Sequence, residues 1–554
     1  MPLYLNTDAH WPMIKGMEVG GEGQSLVTCP AIPAPCKMAR YVSLIPLALI
    51  AIIASFYLFT IREGHQWGDD FGMYLLHAKS IVEGKGYAET PYLYNPLYPG
   101  MGPKAYPPVT SIALAPVYRW FGLNFTLMKI TICAFFLAAL WVLFWTYRIR
   151  LPNAYAAGLI ILLGFNPFFW NFKDEILSDF PFLFFVWTTL YAVDRHYDGQ
   201  KKDRFSGSLA YAILVGASMY LAYATRVLGV VLPAALCLYE LIRFKRLSRF
   251  AVMAVLVTGI LIAVQTILFS HVGSGYLSLF KSLTTRDIAK LFLDNVIEYS
   301  STISAFLDNG HSKLVTRALL VLVSLLAALG LRRIIKDGVT ILEVFLGLYL
   351  VALVVTPFTD DRYLFPIIPL YFFYAGIGAM ELRSLVRGHV WQYAPIIVAG
   401  ALILSYSSKY TTLDFGPIRE GMQRKESKEL FQYLRAHTHP DDIFIFRKPR
   451  ALALLTDRRT AVYPRPSDNS STWDRSAWNY FHDIHARYFI VGATAWARNP
   501  VIIKDIRWER QFVERYKECF EEVFSNTDFT VYKIVLKGSL CDAFSQRAFH
   551  TIPL

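Results

Sequence analysis

Charged residues are scarce in this chain, and long apolar runs take their place. Of its 554 residues, 18% are charged and 55% are hydrophobic. So large an apolar fraction does not fit inside the core of one soluble domain, and the composition therefore indicates a membrane protein. The net charge of +13 is what lysines and arginines in cytoplasmic loops produce, so it implies no nucleic-acid partner.

The chain also lacks the spacings that mark metal sites and phosphate loops. Its six cysteines form no CxxC pair or zinc pattern, and its histidines form no HExxH motif. Gly84-Lys85-Gly86 lacks the spacing of a phosphate-binding loop. Cys519 and Cys541 are the two cysteines that could pair in an oxidising compartment, and two free thiols are the equal alternative. No cofactor is predicted, and no metal ligand set is identified.

The order of polar and apolar stretches divides the chain into three regions. Residues 1–38 have no apolar stretch of the kind a signal peptide needs, and they are predicted to be a disordered cytoplasmic tail. Residues 39–407 hold the apolar runs, with 61–123 as a first external loop. Residues 408–554 read as a soluble α/β domain. Helices are expected there at 429–435 and 505–519, and short buried strands at 443–446 and 488–491.

Eleven apolar segments are long enough to be membrane spans, if 208–242 is two short helices that turn near Arg226. The others are 41–60, 124–147, 154–170, 179–194, 250–270, 314–331, 340–358, 363–382 and 391–407. With a cytoplasmic N-terminus, every inside connection is basic, and the acidic and mixed-charge clusters fall outside. The inside residues include Arg148, Arg150, Arg195, Lys201, Lys202, Arg204, Arg243, Lys245, Arg332, Arg333, Arg383 and Arg387. This orientation predicts a multi-pass protein of the plasma (inner) membrane whose C-terminal domain is extracytoplasmic.

The first external loop carries an acidic pair, Asp69-Asp70, at the start of an amphipathic segment. A second amphipathic stretch, 109–121, follows a segment rich in Tyr, Pro and Gly that ends in Tyr106-Pro107-Pro108. Both stretches are expected to lie on the membrane surface. The acidic pair could cap the first of these helices or could do acid–base chemistry.

Cations stand at the outer ends of predicted spans. Arg362 follows Asp360 and Asp361, and Arg226 lies at the predicted turn. A guanidinium fits phosphate oxygens in bidentate fashion, so both are candidate phosphate ligands. The alternatives are snorkelling to the interface and structural ion pairs. Lys85 is a further candidate phosphate contact. Asp179 has three alternative roles. It can cap the fourth span, orient a base or bind sugar hydroxyls.

These motifs together resemble the C-type fold of glycosyltransferases that use polyprenyl-phosphate sugars, a group that includes protein O-mannosyltransferases and lipid A aminoarabinose transferases. The resemblance rests on motifs spread over most of residues 41–382. They are Gly68-Asp69-Asp70 with Tyr74, Leu75, Leu76 and Ala78; Glu83-Gly84-Lys85-Gly86-Tyr87; Tyr106-Pro107-Pro108; 177–182 (LSDFPF); Thr225-Arg226; and 362–366 (RYLFP).

The resemblance implies that one of the two acids after the first span is the general base, with Asp69 slightly preferred from pair order. It also implies that Tyr74 and Tyr106 help to bind substrate. The donor is expected to be a polyprenyl-phosphate sugar, and the acceptor a cell-envelope glycan, a lipid or a protein. The phosphate of the donor is already a good leaving group. One carboxylate and phosphate-binding cations therefore suffice for an inverting displacement, as in a hexosyl- or pentosyltransferase. Some relatives use a divalent ion.

Two other classes of protein share parts of this pattern. A secondary transporter or lipid flippase also has many spans, but it should show inverted repeats and interrupted helices in pairs, which the sequence does not display. A non-catalytic lipid or sugar receptor would keep the C-terminal domain without needing the acidic pair.

Overall fold

A computed structural model describes residues 36–198, 208–269, 271–273, 285–357, 359–385, 393–419, 421–464, 470–492 and 500–535. Two compact units divide the chain, residues 1–44 and 45–554, and the site described below lies in the second. Most of the predicted tail, together with Lys201, Lys202, Arg204, Arg387 and Cys541, lies outside the described residues. The predicted boundary between residues 407 and 408 stays a prediction.

Fifteen α-helices occupy the described residues before 411. They are α1 Cys36–Phe59, α2 Asp70–Val82, α3 Pro108–Phe121, α4 Phe125–Tyr147, α5 Asn153–Gly164, α6 Pro167–Phe172, α7 Asp179–Tyr197, α8 Leu209–Tyr223, α9 Val231–Phe244, α10 Arg249–Leu268, α11 Thr285–Thr302, α12 Lys313–Asp337, α13 Ile341–Val355, α14 Ile368–Leu385 and α15 Ala394–Tyr410. Each predicted span overlaps one of them, except 154–170, which overlaps both α5 and α6. Four helical stretches of the described chain are long and apolar enough to cross a bilayer by length and composition: Phe125–Tyr147, Val227–Phe244, Arg249–Leu268 and Lys313–Asp337. The count of eleven spans stays a prediction.

The predicted turn near Arg226 is present. Helix α8 ends at Tyr223, Arg226 has an extended backbone, and a 3-10 turn over Val227–Val230 leads into α9. The predicted span 154–170 is interrupted instead. Helix α5 ends at Gly164, and α6 begins at Pro167, which has no backbone N–H to continue the earlier helix.

Helix α11 lies in the stretch between His271 and Lys313 that the sequence indicated only as a loop. Its apolar residues are interrupted by charges, so it has no run of spanning length. The side-chain amide of Asn295 donates to the carbonyl oxygens of Val354 at 3.0 Å and Thr356 at 2.8 Å. Helix α11 is therefore fastened to the end of α13.

Helix α2 begins and ends close to where the sequence predicts, but it does not lie exposed on a surface. All residues from Phe71 to Ala78 are buried. Helix α3 packs against one side of α2, and a C-terminal helix packs against another. Helix α2 is therefore enclosed by protein, because α3 and the C-terminal region cover it. Its expected place at the membrane surface stays a prediction.

The C-terminal residues form a five-stranded sheet with helices around it. Its elements are α16 Lys425–His437, β1 Ile443–Ile445, α17 Pro449–Thr456, β2 Arg459–Ala461, α18 Ser470–Asp483, β3 Ala486–Gly492, α19 Pro500–Arg515, β4 Phe520–Ser525 and β5 Phe529–Ile534. The strand order is β2-β1-β3-β5-β4. Strands β2, β1 and β3 are parallel, and β5 and β4 are antiparallel to their neighbours. Both strands and both helices expected here are present.

The first loop and the C-terminal sheet share a core. The ring of Trp67, two residues before the acidic pair, packs edge to face on Phe446 at 5.5 Å and on Phe529 at 5.7 Å. The segment between β1 and α17 is thereby placed beside Asp69 and Asp70. Cys519 is disulfide-bonded, whereas Cys133 and Cys237 are free.

Candidate active site

Asp70 is the first residue of α2, and its carboxylate is held from three sides. Oδ1 accepts from the Tyr106 hydroxyl at 2.7 Å and from Arg450 Nη1 at 3.0 Å, and Oδ2 accepts from Arg362 Nη2 at 2.7 Å. Burial raises the pKa of Asp70, but Arg362 and Arg450 outweigh burial and hold the pKa below its usual range. The side chain is 31% exposed, so an ionised carboxylate remains open to a ligand.

Asp69 has a different environment. Its side chain does not cap α2. Oδ1 accepts the backbone N–H of Arg450 at 3.0 Å and of Ala451 at 3.3 Å, at the N-terminus of α17. The side chain is only 7% exposed, and burial raises its pKa although Arg450 and Lys448 oppose that effect. Asp69 is thus engaged in holding α17, which weakens the preference for it over Asp70.

Arg362 lies in the 3-10 turn Asp361–Leu364 that precedes α14. Besides Asp70, it donates from Nε to Asp360 at 2.9 Å. Its Nη1 is 3.9 Å from Asp179 Oδ2, beyond hydrogen-bond distance. Within the described residues, Nη1 therefore keeps N–H groups for a ligand oxygen. The structural ion pair that was the alternative to phosphate binding is present with Asp360, but it uses only Nε of the guanidinium.

Arg226 and Asp179 form a buried pair next to Arg362. Arg226 Nη1 donates to Asp179 Oδ1, and the guanidinium lies 4.7 Å from the centre of the Tyr363 ring. Asp179 is the first residue of α7 and is 2% exposed. Helix capping alone does not account for Asp179, because its carboxylate faces both arginines.

Tyr74 and Tyr106 complete the surroundings of Asp70. Their rings stack with centroids 5.0 Å apart, and the Tyr74 hydroxyl donates to Ser178 Oγ at 2.8 Å. The backbone N–H of Tyr106 donates to His77 Nε2 at 3.2 Å, and His77 Nδ1 lies 2.7 Å from the Tyr87 carbonyl oxygen. The buried His77 therefore fixes the segment that carries Tyr106.

Two cavities meet at Asp70. Cavity 1, of about 570 Å³, has walls in which charged and polar side chains alternate with apolar ones such as Phe168, Phe172 and Leu177. Cavity 2, of about 290 Å³, lies between the start of α2, the turn that joins α8 to α9 and the end of α13, and its walls are largely apolar. Asp70, Tyr106, Arg362 and Tyr363 line both. The further polar residues of cavity 1 include Asp69, Gln66, Asn171, Glu175, Thr359, Asp360 and Lys448, and those of cavity 2 include Tyr74, Ser178, Thr225 and Arg226.

Lys85 is the predicted site residue that the structure does not bring to this place. It follows the C-terminus of α2, whereas Asp70 is at the N-terminus. Its ammonium pairs with Glu83 at 2.7 Å, and its side chain is 58% exposed. Lys85 lines neither cavity.

Sequence reasoning missed Arg450 and Lys448. Arg450 is fully buried: Nη1 donates to the Tyr106 hydroxyl at 2.6 Å as well as to Asp70, and Nη2 donates to the Met101 carbonyl oxygen. Lys448 faces cavity 1. The available signal was the basic run Arg447-Lys448-Pro449-Arg450 directly after a buried strand, because ligands in α/β sheets bind outside the carboxyl ends of strands.

Metal binding finds no support in the described ranges, where no three His, Cys, Asp or Glu side chains are grouped as ligands. Cations fill the space between the acids instead: Arg362, Arg226 and Arg450 stand among Asp70, Asp69 and Asp179.

The arrangement of helices is the C-type fold of glycosyltransferases that use polyprenyl-phosphate-linked sugars. The oligosaccharyltransferase of Archaeoglobus fulgidus, in a crystal structure with Zn and sulfate, superposes with a TM-score of 0.53 at 12% identity, covering 88% of this chain and 73% of that one. ArnT from Cupriavidus metallidurans superposes in its apo state with a TM-score of 0.53 at 10% identity, covering 90% and 98%. ArnT bound to undecaprenyl phosphate gives 0.51 at 11% identity with the same coverage.

At these identities the likeness establishes the fold. It confirms at that level the resemblance drawn from the sequence motifs. No protein-family model matches the sequence, and no curated protein matches it.

Proposed function

We propose that this chain is a membrane glycosyltransferase that moves a sugar from a polyprenyl-phosphate donor to an acceptor hydroxyl, with Asp70 as the general base. The single observation that carries the proposal is the place of Asp70. It is an ionised carboxylate at the junction of two cavities, one with many polar side chains and one largely apolar, and it lies 2.7 Å from an arginine that lines both. Two substrates can meet there, one from each cavity.

Cavity 2 suits the lipid-linked donor. Its walls include Leu228, Val230 and Val231, and Val230 is 50% exposed, so a prenyl chain can enter between apolar side chains. Arg226 and Arg362 also line it, and their guanidinium groups match phosphate oxygens. The ArnT structure with undecaprenyl phosphate contains a ligand of this class, which agrees with this role for cavity 2.

Cavity 1 suits the acceptor. Its polar side chains, including Asn171, Glu175 and Thr359, can hydrogen-bond the hydroxyls of a glycan, a glycolipid or a hydroxyl-bearing peptide. Burial raises the pKa of Glu175 to about 7, so part of its population carries a proton that it can donate.

The displacement requires few groups. The acceptor oxygen attacks the anomeric carbon, its proton passes to Asp70, and the bond from that carbon to the phosphate oxygen breaks with inversion. The bonding electrons leave with polyprenyl phosphate, which gains one negative charge. Arg226 and Arg362 stabilise this developing charge, and no second protonated carboxyl is needed for the leaving group.

The orientation of the site follows from loop charge. Asp70, Asp179, Arg226 and Arg362 belong to four connections that the positive-inside rule assigns to the outer face. We therefore propose an extracytoplasmic active site at the plasma (inner) membrane, where donors arrive on a lipid carrier.

The test compares transfer with donor binding in purified protein. Radiolabelled polyprenyl-phosphate sugars, hexosyl and pentosyl, are incubated with candidate acceptors. Asp70→Asn should lower transfer by about 10²- to 10⁴-fold while donor binding persists, and Arg226→Gln should weaken donor binding. Arg333→Gln is the matched control, since Arg333 pairs with Asp337 at 3.3 Å at the far end of α12. Full transfer by Asp70→Asn would refute the proposal.

A further inference from the structure

One residue of the C-terminal region donates hydrogen bonds to both acids of the pair. Arg450 gives its backbone N–H to Asp69 and its guanidinium to Asp70. One interaction uses the backbone of Arg450 and the other its side chain. The segment between β1 and α17 is therefore bound to both acids. Nothing in the motifs that carry the resemblance includes this segment.

We propose that Arg450 is a positioning residue that aims the Asp70 carboxylate at the acceptor, and that Asp69 acts by anchoring Arg450. The inference rests on the proposed function of Asp70. It makes the C-terminal region part of the catalytic centre, beyond any role in recognising the acceptor.

The packing around Arg450 supports a fixed geometry. Its guanidinium is completely buried and lies 5.1 Å from the centre of the Tyr106 ring and 5.3 Å from that of Tyr92. Two glycines make room for it. A Cβ on Gly72 would lie 2.8 Å from the carbonyl carbon of Arg450, and one on Gly102 would lie 2.9 Å from Arg450 Nη2. An arginine so enclosed has a single conformation in which to hold its partner.

Arg450 and Arg362 act on opposite oxygens of Asp70. Arg450 shares Oδ1 with the Tyr106 hydroxyl, and Arg362 holds Oδ2. When a donor phosphate binds Arg362, the hold on Oδ2 weakens, and Oδ2 becomes free to accept the proton of the acceptor. Arg450 then keeps the carboxylate ionised and in place, because it is not needed by the phosphate.

The charged and titratable groups that face Asp70 come from every element around it. They are Asp69 and Tyr74 of the first loop and α2, Tyr106 before α3, Glu175 before α7, Asp179 of α7, Arg226 between α8 and α9, Asp360, Arg362 and Tyr363 before α14, and Lys448 and Arg450 between β1 and α17. Removal of Arg450 takes away one of the two cations that hydrogen-bond Asp70 and leaves a desolvated carboxylate. The protonated form of Asp70 should therefore appear at a higher pH than in the wild type.

The experiment uses Arg450→Lys and Arg450→Gln in the full chain, with Arg458→Lys as the matched control. Arg458 is also buried in the C-terminal region, but its guanidinium donates to the carbonyl oxygens of Arg435 at 2.9 Å and Thr438 at 3.1 Å. Both Arg450 variants should lower kcat by about 10²-fold and leave donor binding within twofold. Arg450→Gln, which removes the positive charge, should also move the acid limb of kcat/KM to higher pH. The Arg458→Lys profile should follow the wild type.

A second readout does not depend on transfer. Infrared difference spectra, with the Asp70 band assigned through Asp70→Asn, should show that Asp70 protonates at higher pH in Arg450→Gln than in the wild type. If wild-type protein transfers no sugar but this shift is seen, the proposed function fails, while the hold of Arg450 on an ionised Asp70 is retained. An unmoved Asp70 titration and acid limb in Arg450→Gln, with or without loss of thermal stability, would overturn the inference.

Discussion

At the scale of single residues, the site separates two neighbouring aspartates by their surroundings. Asp70 touches two guanidiniums and both cavities, whereas Asp69 accepts backbone N–H groups and is almost closed from solvent. Nothing in the sequence distinguishes them beyond their order. We therefore expect Asp69→Asn to retain more transfer than Asp70→Asn, since an amide oxygen can still accept the N–H groups of α17. Parallel rate measurements on the two variants check this, and equal losses would contradict it.

The buried histidine behind Tyr106 predicts a pH-dependent stability. Burial lowers the pKa of His77 to about 3, against about 6.5 in an unfolded chain. Between these values the unfolded chain binds a proton that the folded chain does not, so the contribution of His77 to stability falls as pH drops from 6.5 towards 3. The lowered pKa of Asp70 acts later, because its contribution is lost only below about pH 3.9.

Thermal unfolding at pH 7.5 and pH 5.0 measures this effect. Burial raises the pKa of Glu175 to about 7, so this carboxyl gains stability over the same interval and opposes His77. The quantity to compare is therefore the change in unfolding temperature between the two pH values in wild type and in His77→Gln. The amide of the variant reaches the place of Nε2 without titrating, so the variant should lose less stability, or gain more, on going to pH 5.0. His65, whose pKa burial lowers to about 4, acts in the same way in both proteins. Equal pH dependence in the two proteins would show that His77 does not contribute.

At the scale of elements, the close approach of α2 and α17 decides whether the acids and Arg450 meet. Gly72 lies where the two helices touch, and a Cβ there would be 2.8 Å from the backbone nitrogen of Ala451. Backbone atoms cannot move aside as a flexible side chain can. The absence of a side chain at Gly72 is therefore a condition for the site.

Gly72→Ala should destabilise the fold by about 1–3 kcal/mol, the usual range for inserting a methyl into packed structure. It should also lower kcat, because α17 carries Arg450. Gly400→Ala is the control, since Gly400 lies in helix α15 and a Cβ there meets nothing within 4 Å. That change should alter stability by no more than about 1 kcal/mol. Thermal unfolding and transfer rates measure both, and equal behaviour of the two variants would contradict this reading of the contact.

At the scale of the whole molecule, the contact between Asp69 and α17 constrains topology. Residues joined by a 3.0 Å hydrogen bond lie on the same side of any membrane. Whichever face the first loop occupies, the C-terminal sheet must occupy it too. The pairing of Arg150 with Asp194 at 2.6 Å likewise joins two connections that loop charge assigns to the inner face.

Labelling with a membrane-impermeant maleimide in intact cells tests this arrangement. Lys85→Cys and Asp441→Cys should react from outside, since these side chains are 58% and 82% exposed. Arg333→Cys, at a side chain 49% exposed, should react only after permeabilisation. The unsubstituted chain gives the background from native cysteines. Opposite labelling of Lys85→Cys and Asp441→Cys would contradict the structure.

The sequence by itself determined the membrane class, the positions of the apolar helices and the C-type resemblance. These follow from local composition and from motifs whose order along the chain is visible. The helix at 285–302 was missed because charges interrupt its apolar residues, and the break at Pro167 was missed because the whole run is apolar.

Tertiary structure alone decided how the site is assembled. Arg450 hydrogen-bonds Asp70 across a sequence separation of 380 residues. Lys85 lies only 15 positions after Asp70 in the sequence, yet its side chain is not part of the site. No local pattern records such contacts. They arise because the C-terminal sheet packs on the first loop and brings its basic segment over the acidic pair. Burial and pairing then assign different environments to two adjacent carboxylates that are chemically identical in the sequence.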